Sequence, residues 1–173
     1  MSWSRYLFSF SGRINRARMW LFYVVVWVIE LALFLGTILT YAVLVATGVV
    51  GKDTLPERNS IYPGVAFTIV LVVFLVAVYY MYFAVTAKRL HDRNKSAWWI
   101  LTFFVVPAFL IFTPEILIAT KLISEDNRPA QIAVMCSALA GIGLTIWSFV
   151  ELYCLRGTVG DNRFGPDPLA GRP

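Results

Sequence analysis

The stretch IYPGVAFTIVLVVFLVAVYYMYFAVTA, residues 61–87, decides the fold class of this chain. It contains 27 residues without one charged side chain, and a helix needs about 20 apolar residues to cross the hydrocarbon core of a bilayer. The stretch lacks the alternation of apolar and polar residues that marks a membrane-spanning strand. It therefore predicts a transmembrane helix.

Three further apolar runs have the same character: residues 19–50, 97–120 and 130–155. Hydrophobic residues make up 59% of the 173-residue chain, and its mean hydropathy is +0.72, whereas soluble domains are about 45–50% apolar. The first run is too long for the apolar part of a signal peptide, about 7–15 residues, so we interpret it as a retained helix. The sequence predicts an all-α integral membrane four-helix bundle that forms a single domain over residues 1–173.

The distribution of basic residues predicts the orientation of these helices. Eleven of the 15 lysine and arginine residues lie in the amino-terminal segment, the loop after the second helix and the carboxyl-terminal tail. These are Arg5, Arg13, Arg16, Arg18, Lys88, Arg89, Arg93, Lys95, Arg156, Arg163 and Arg172, whereas Lys52, Arg58, Lys121 and Arg128 lie in the two other loops. The positive-inside rule therefore predicts that both termini are cytoplasmic. Topology explains the net charge of +5, and no nucleic-acid partner is needed.

The amino-terminal segment combines an apolar stripe with basic residues. The stripe recurs at i, i+3, i+4 and i+7, which predicts an interfacial helix lying along the membrane surface; it comprises Trp3, Tyr6, Leu7 and Phe10. Arg13, Arg16 and Trp20 then share one face at the start of the first membrane helix. The favoured interpretation of each is an interfacial anchor, and a ligand site is the alternative.

The loop KRLHDRNKSAWW, residues 88–99, contains the only histidine of the chain, His91, next to Asp92. A lone histidine with a pKa of about 6.5 can shuttle protons, but a hydrolytic triad or a metal site needs partners that this loop does not supply. We therefore favour a structural His91 whose ring hydrogen-bonds a carbonyl group or Asp92. The other candidate residues of the loop are Arg89, Ser96 as a cap of the third helix, and Trp98 and Trp99 at the membrane interface.

The tail segment LRGTVGDNRFGPDP, residues 155–168, is a succession of turn-forming residues. Its Gly-Pro and Asp-Pro pairs exclude a helix. Asn162 and Arg163 are embedded among these turn formers, which predicts an ordered cytoplasmic cap folded against the helix ends instead of a free tail. Asp161 or Asp167 is expected to pair with arginines of the other two segments.

Three acidic residues fall inside the apolar runs: Glu30, Glu115 and Glu151. A carboxyl group near the middle of a bilayer is costly, so Glu30 is expected to face the bundle, to be protonated or to meet a polar partner. Glu151 lies one turn from the cytoplasmic end, where either snorkelling of its side chain to the interface or an arginine partner suffices. With one histidine and two separate cysteines, we expect no bound metal and no cofactor.

Three segments of the chain, GRINRARMW, AKRLHDRNKSAWW and GTVGDNRFGPDP, occur in this order with membrane runs between them. Together they resemble the YhaH-like family of small bacterial inner-membrane proteins, a family of unknown function (DUF805). The resemblance covers nearly the whole chain, and it implies four helices in the bacterial inner membrane and no established activity. It marks Gly12, Arg13, Arg16, Trp20, Arg89, Leu90, His91, Asp92, Ser96, Trp98, Trp99, Gly157, Asn162, Gly165 and Pro166.

These observations support three hypotheses about function. The favoured one is a non-enzymatic membrane protein whose cytoplasmic segments bind an anionic group, such as the phosphate of an anionic lipid, or a protein partner. The alternative is a small transporter or channel that uses Glu30 and Glu115 and works as a homo-oligomer, since four helices rarely enclose a path alone. A membrane enzyme that uses His91 and Asp92 ranks last, because no nucleophile or oxyanion site is visible.

Overall fold

The computed structural model describes residues 2–48, 58–121, 124 and 127–171, and of residues 58–64, 66 and 67 the backbone. Of the basic residues counted above, Lys52 and Arg172 lie outside this part of the chain. The described helices are α1 (Trp3–Phe8), α2 (Arg16–Ala46), α3 (Arg58–Asp92), a π-helical turn (Leu101–Val105), α4 (Val106–Ala119), α5 (Arg128–Phe149) and a second π-helical turn (Val150–Cys154).

Within the residues that the structure describes, four helical segments are long and apolar enough to span a membrane: Arg16–Ala46, Thr68–Asp92, Leu101–Ala119 and Arg128–Cys154. The prediction of an all-α fold with four such helices is confirmed. These segments carry large apolar side chains on their surface, among them Phe34, Val70 and Phe109. An exposed apolar surface of this extent is costly in water and is covered by lipid chains in a membrane.

The helix boundaries differ from the predicted ones mainly at the polar ends. α2 begins at Arg16, three residues before the predicted start, and ends at Ala46 instead of residue 50. α3 continues to Asp92, five residues beyond the predicted end of the run 61–87. It can do so because the polar side chains of its last turn are buried in protein, where they find partners and need no water. The predicted runs 97–120 and 130–155 each correspond to an α-helix joined to a π-helical turn.

The end of α3 is fixed by a Schellman motif. Asn94 adopts a left-handed conformation with φ 57°, which asparagine tolerates better than most residues. The N–H of Lys95 donates to the carbonyl oxygen of Leu90 at 2.8 Å, and the N–H of Asn94 donates to that of His91 at 2.9 Å. These two hydrogen bonds satisfy carbonyl groups left open at the helix end. The chain turns away sharply there and leaves Asp92 at the tip of α3.

The two π-helical turns each have a visible cause or consequence. Pro107 lacks the N–H that would bond to residue 103 in an α-helix, and the turn Leu101–Val105 lies just before it. In the second turn, which follows α5, the N–H of Leu155 donates to the carbonyl oxygen of Val150, five residues back, at 3.1 Å. The second turn carries Glu151, which is 5% exposed.

The described chain divides into two compact units. One unit comprises residues 1–19 and 83–173, and the other comprises residues 20–82. In the second unit, the ring of Tyr82 on α3 lies 5.4 Å from that of Phe22 and 4.9 Å from that of Tyr23, both on α2. The organisation of the chain as a single domain stays a prediction.

In the first unit, α4 packs closely against α5 at Gly141. A Cβ atom at this position would lie 2.7 Å from Cγ1 of Ile111 and 3.1 Å from the carbonyl oxygen of Pro107. Both distances are shorter than ordinary contacts, so glycine is what lets the two backbones approach.

Candidate functional site

The carboxylate of Asp92 is the centre of a buried ion network, here called the Asp92 network, that also contains Arg13 and Arg89. Its Oδ1 accepts hydrogen bonds from Nε and Nη2 of Arg13 at 3.1 and 3.0 Å. Its Oδ2 accepts one from Nη1 of Arg89. The side chains of Arg13, Arg89 and Asp92 are 1%, 0% and 4% exposed. Burial of one carboxylate with two guanidinium groups leaves one positive charge in excess, which the surrounding carbonyl groups must stabilise.

Arg13 uses its other N–H groups to hold the tail. Nη1 donates to the carbonyl oxygens of Gly160 and Gly165 at 2.7 and 3.1 Å. Nη2 donates to the carbonyl oxygen of Thr158 at 2.6 Å and to its Oγ1 at 3.2 Å. A guanidinium group offers five donors in a rigid fork, and here they join the amino-terminal segment, the end of α3 and the tail.

Arg89 binds carbonyl groups of the second π-helical turn and of the residue that follows it. Its Nε donates to the carbonyl oxygen of Leu152 at 2.8 Å, and its Nη2 donates to that of Leu155. The last carbonyl groups of a helix have no partner within the helix, and a cation next to them is favourable. Arg89 therefore terminates the second π-helical turn while it pairs with Asp92.

The tail backbone passes directly over Asp92 because residue 157 is glycine. A Cβ atom at Gly157 would lie 1.9 Å from Oδ2 of Asp92, a distance that no side chain can adopt. The next residue, Thr158, donates its N–H and its Oγ1 hydroxyl to the carbonyl oxygen of Asp92 at 2.8 and 3.0 Å. Thr158 was not among the candidate residues of the sequence analysis, and its place within the third segment is the signal that could have found it.

His91 has a structural environment. Its Nδ1 lies 3.2 Å from the carbonyl oxygen of Gly12, as the favoured interpretation expects, and its ring stacks on Phe164 at 3.9 Å between centroids. Its own carbonyl oxygen accepts a hydrogen bond from Nδ2 of Asn162 at 2.9 Å. The histidine is thus held between the amino-terminal segment and the tail.

The tail is an ordered cap, as predicted. Asn162 and Gly165 exchange two backbone hydrogen bonds of 3.2 and 3.0 Å, and Oδ1 of Asn162 accepts the N–H of Phe164 at 2.9 Å. Nη2 of Arg163 donates to the carbonyl oxygen of Asn94 at 3.1 Å. These bonds fold residues 158–165 back onto the end of α3.

The tail aspartates have a different role from the one expected. Asp167 accepts two backbone hydrogen bonds: its Oδ2 from the N–H of Gly160 at 3.0 Å, and its Oδ1 from the N–H of Leu169 at 2.9 Å. Oδ1 of Asp161 accepts a hydrogen bond from the N–H of Asp167 at 3.3 Å. Among the described residues, the ion pairs of Arg13 and Arg89 go to Asp92 instead. The N–H groups of Leu169 and Gly160 lower the pKa of Asp167 below its ordinary value.

Lys88 anchors α1, which sequence reasoning did not foresee. Its Nζ donates to the carbonyl oxygen of Arg5 at 3.2 Å and to that of Tyr6, and it lies 5.6 Å from the centre of the Tyr6 ring. The Tyr6 hydroxyl in turn donates to the carbonyl oxygen of Arg18 at 2.7 Å. Burial raises the pKa of Tyr6. The Lys88 side chain is completely buried, so its charge depends on these carbonyl groups.

A second ion cluster surrounds Glu151. Its Oε1 accepts a hydrogen bond from Nε of Arg93 at 3.0 Å and lies 3.8 Å from Nζ of Lys95. The Lys95 ammonium group also lies 4.3 Å from the centre of the Trp99 ring, and Trp99 meets Trp147 edge to face at 5.6 Å. Of the two alternatives expected for Glu151, the structure thus shows the arginine partner.

The other candidate residues are not part of the Asp92 network. The carbonyl oxygen of Ser96 accepts the N–H of Trp99 at 3.2 Å, and Trp98 is 76% exposed. Trp20 and Glu30 belong to the second unit, where the Glu30 carboxyl group is within hydrogen-bond reach of the Tyr82 hydroxyl. Glu115 is exposed on α4.

A cavity of about 220 Å³, here called the Arg16 cavity, adjoins the Asp92 network. It is lined by Asn15, Arg16, Arg89, Asp92, Arg156, Gly157, Thr158, Asp167 and Leu169. Arg16 and Arg156 are exposed, and Nη1 of Arg16 donates to the carbonyl oxygen of Cys154 at 2.8 Å. In the described part of the chain, no group of three or more histidine, cysteine, aspartate or glutamate residues could hold a metal ion.

The fold and the site define a membrane-spanning protein whose three polar segments meet at the ends of its helices. The chain belongs to the DUF805 family, described as a protein of unknown function, whose model matches residues 7–166. This range contains the first two segments and all but the last two residues of the third, and the resemblance found in the sequence is confirmed.

Two relatives are similar over most of their length. The chain is 26% identical to the uncharacterized protein YiiR of Escherichia coli (strain K12) over 167 residues, which cover 96% of this chain and 90% of YiiR. The uncharacterized protein YiiR of Escherichia coli O157:H7 gives the same values. No solved structure matches the chain.

Proposed function

We propose that this protein is a non-enzymatic protein of the bacterial inner membrane that binds the phosphate of a lipid headgroup in the Arg16 cavity. Both termini and the three polar segments face the cytoplasm in this proposal, in accord with the bias of basic residues. The observation that carries the proposal is the cavity itself, which is lined by Arg16, Arg89 and Arg156 at the ends of spanning helices.

The arginine residues of the polar segments divide into two groups. Arg13 and Arg89 are buried and donate to Asp92 and to backbone carbonyl groups, so a bound anion could engage them only by breaking the Asp92 network. Arg16 and Arg156 are exposed at the cavity and are therefore the residues we assign to the phosphate. The excess positive charge of the Asp92 network attracts the same phosphate at short range.

The position of the cavity supports a lipid as the source of the phosphate. Its lining includes the first residue of α2, Arg16, the last residue of α3, Asp92, and Arg156, two residues after the second π-helical turn. The ends of spanning helices lie at the level of the lipid headgroups. The amino terminus of α2 adds the partial positive charge of its helix dipole. An acidic segment of a membrane protein partner is the other anion that this position allows.

A binding experiment with matched variants tests the proposal. Native mass spectrometry of the purified protein would measure how much phosphatidylglycerol stays bound to the wild type, Arg16→Gln, Arg156→Gln and Arg18→Gln. Arg18 is exposed on the same helix and does not line the cavity, so its variant controls for the loss of one charge. We expect about tenfold weaker retention for Arg16→Gln and Arg156→Gln, because a hydrogen bond to a charged group contributes about 1.5–3 kcal/mol.

Equal retention by the wild type and both cavity variants would contradict the lipid proposal. Weaker retention by Arg18→Gln as well would show that only net charge matters and that the cavity has no special role.

The alternative of an oligomeric transporter or channel draws on Glu115, which is exposed within the spanning segment Leu101–Ala119. A carboxyl group facing lipid is costly, and a neighbouring copy of the chain would cover it. This alternative requires water to reach Glu30. A Glu30→Cys variant, made after Cys136 and Cys154 are replaced by serine, should then react with a water-soluble maleimide in membranes. Absence of labelling under conditions that label the Arg18→Cys variant would exclude the path.

A further inference from the structure

We infer that the Arg16 cavity selects phosphodiester headgroups that carry hydrogen-bond donors beyond the phosphate, such as ethanolamine or glycerol, because Asp167 shares the cavity with Arg16 and Arg156. This inference rests on the proposed function and specifies its ligand. A site for phosphate alone would be lined by cations and N–H groups. This cavity also presents carboxylates.

The two aspartates of the cavity differ in what they can still bind. Both oxygens of Asp92 accept hydrogen bonds from guanidinium groups, and its side chain is 4% exposed. Each oxygen of Asp167 accepts one backbone N–H, from Gly160 or Leu169. A carboxylate has about four acceptor positions, so Asp167 retains capacity for a donor of the ligand.

Asp167 is held in place and remains charged. The hydrogen bonds from Gly160 and Leu169 fix its carboxylate, and Gly160 is itself bound through its carbonyl oxygen to Nη1 of Arg13. The same N–H groups lower the pKa of Asp167, so it is ionised at neutral pH. Rotation of the side chain away from the cavity would break both backbone bonds.

A fixed carboxylate separates possible ligands by charge and by hydrogen bonding. A phosphate monoester carries about 1.5–2 negative charges at pH 7, and Asp167 repels it more than it repels a phosphodiester with one charge. An ammonium group or a hydroxyl group next to the phosphodiester can donate to Asp167 while the phosphate pairs with Arg16 and Arg156. The cavity should therefore recognise both halves of such a headgroup.

The size of the cavity limits the headgroup. Its volume of about 220 Å³ is below the roughly 300–1,000 Å³ of pockets that hold drug-sized ligands. A phosphate with a short extension, such as glycerol or ethanolamine, suits this volume better than a phosphate with a sugar ring or a nucleotide.

The ranking of three lipids with identical acyl chains tests the inference. Phosphatidic acid carries the most negative charge, phosphatidylglycerol carries one, and phosphatidylethanolamine carries none in total. If the site recognises only the charge of the lipid, phosphatidic acid should bind most tightly and phosphatidylethanolamine most weakly. If Asp167 accepts hydrogen bonds from the hydroxyl or ammonium groups of the headgroup, native mass spectrometry should show phosphatidylglycerol and phosphatidylethanolamine bound about tenfold more tightly than phosphatidic acid.

Three variants test whether Asp167 causes this order of lipid affinities. In Asp167→Asn, phosphatidic acid should become the most tightly bound of the three lipids. Asp161 does not line the cavity, so Asp161→Asn should keep the wild-type order of affinities. Arg16→Gln should weaken all three lipids. If Asp167→Asn does not fold, the wild-type ranking alone decides the question.

Soluble deacylated lipids identify the source of the headgroup. Glycerophosphoethanolamine and glycerophosphoglycerol carry the same phosphodiester without acyl chains. If bound lipid is retained in the presence of these soluble esters, the ligand is a membrane lipid. If the esters displace the lipid at micromolar concentration, the assignment of a lipid ligand is overturned in favour of a soluble ester.

The possible failures are distinguishable. A wild-type preference for phosphatidic acid, with all lipids weakened in Arg16→Gln, overturns the selectivity and leaves the proposed function standing. No effect of Arg16→Gln on any lipid overturns both.

Discussion

Replacement of Gly157 by alanine tests the closest contact of the structure. The added Cβ would lie 1.9 Å from Oδ2 of Asp92, 2.4 Å from Cγ and 2.7 Å from Oδ1. Ordinary Cβ contacts begin at 3.4 Å. Because Arg13 and Arg89 hold the Asp92 carboxylate in place, we expect the tail to retreat by 3.4 minus 1.9, or 1.5 Å. Gly157 does not have a positive φ, and the clash is therefore the only cause of the expected effect.

This retreat breaks specific interactions. The two hydrogen bonds from Thr158 to the carbonyl oxygen of Asp92, now 2.8 and 3.0 Å, would become too long to count as hydrogen bonds. Arg13 would lose contact with the tail carbonyl groups while it remains buried. Each neutral hydrogen bond contributes about 0.5–1.5 kcal/mol and each bond to a charged group about 1.5–3 kcal/mol. We expect Gly157→Ala to lower the free energy of unfolding by about 3–5 kcal/mol.

Thermal unfolding in detergent measures this loss, and Gly143→Ala provides the matched control. Gly143 lies inside α5 with nothing within 4 Å of its ideal Cβ, and alanine is favoured over glycine in a helix by about 1 kcal/mol. At 2–4 °C per kcal/mol for a chain of this size, Gly157→Ala should lower Tm by roughly 6–20 °C. A Tm within 2 °C of the Gly143→Ala value, read with the same probe, would refute the reasoning.

Three further predictions concern the charges around the tail. Asp92→Asn leaves two buried guanidinium groups without a carboxylate and should destabilise the protein by about 3–5 kcal/mol in denaturant unfolding; the reasoning fails if it is no more harmful than Asp161→Asn. Lys88→Met removes the cation that binds the carbonyl groups of α1, so trypsin should cleave within the first 18 residues faster than in Lys121→Met, and an unchanged cleavage rate would contradict this role. Because the pKa of Asp167 is lowered in the folded tail, its ionised form stabilises the tail above the ordinary pKa of 3.8, and this contribution is lost as the pH falls through the lower folded value. Pepsin should therefore digest the wild-type tail faster at pH 2 than at pH 4, with a smaller difference in Asp167→Asn; equal pH dependence of the two proteins speaks against the prediction.

The sequence alone predicts the spanning helices because their signal is local. An uninterrupted apolar run such as residues 61–87 needs no knowledge of other segments to be identified as a helix. The predicted end of α3 was too early, because residues 88–92 are polar and their burial depends on partners far along the chain. Asp92 pairs with Arg13, 79 positions away, and no local pattern encodes that distance.

The candidate site was predictable in its segments and unpredictable in its contacts. The turn formers around Asn162 correctly indicated an ordered cap, since such residues are selected for specific backbone angles. The sequence does not reveal which aspartate pairs with the arginines. The tail aspartates were expected to do so, whereas Asp92 at the end of α3 pairs with Arg13 and Arg89. The cavity between Arg16, Arg156 and Asp167 arises only from folding.

A double-mutant cycle between Arg13 and Asp92 tests most directly whether the three segments meet at one buried carboxylate. The free energies of unfolding of Arg13→Gln, Asp92→Asn and the double variant would be compared with the wild type, and the same cycle would be run with Arg18→Gln as the control. The structure predicts a coupling energy of about 1–3 kcal/mol for Arg13 with Asp92 and additivity within about 0.5 kcal/mol for Arg18 with Asp92. Additive effects for Arg13 and Asp92 would contradict the structure's central feature.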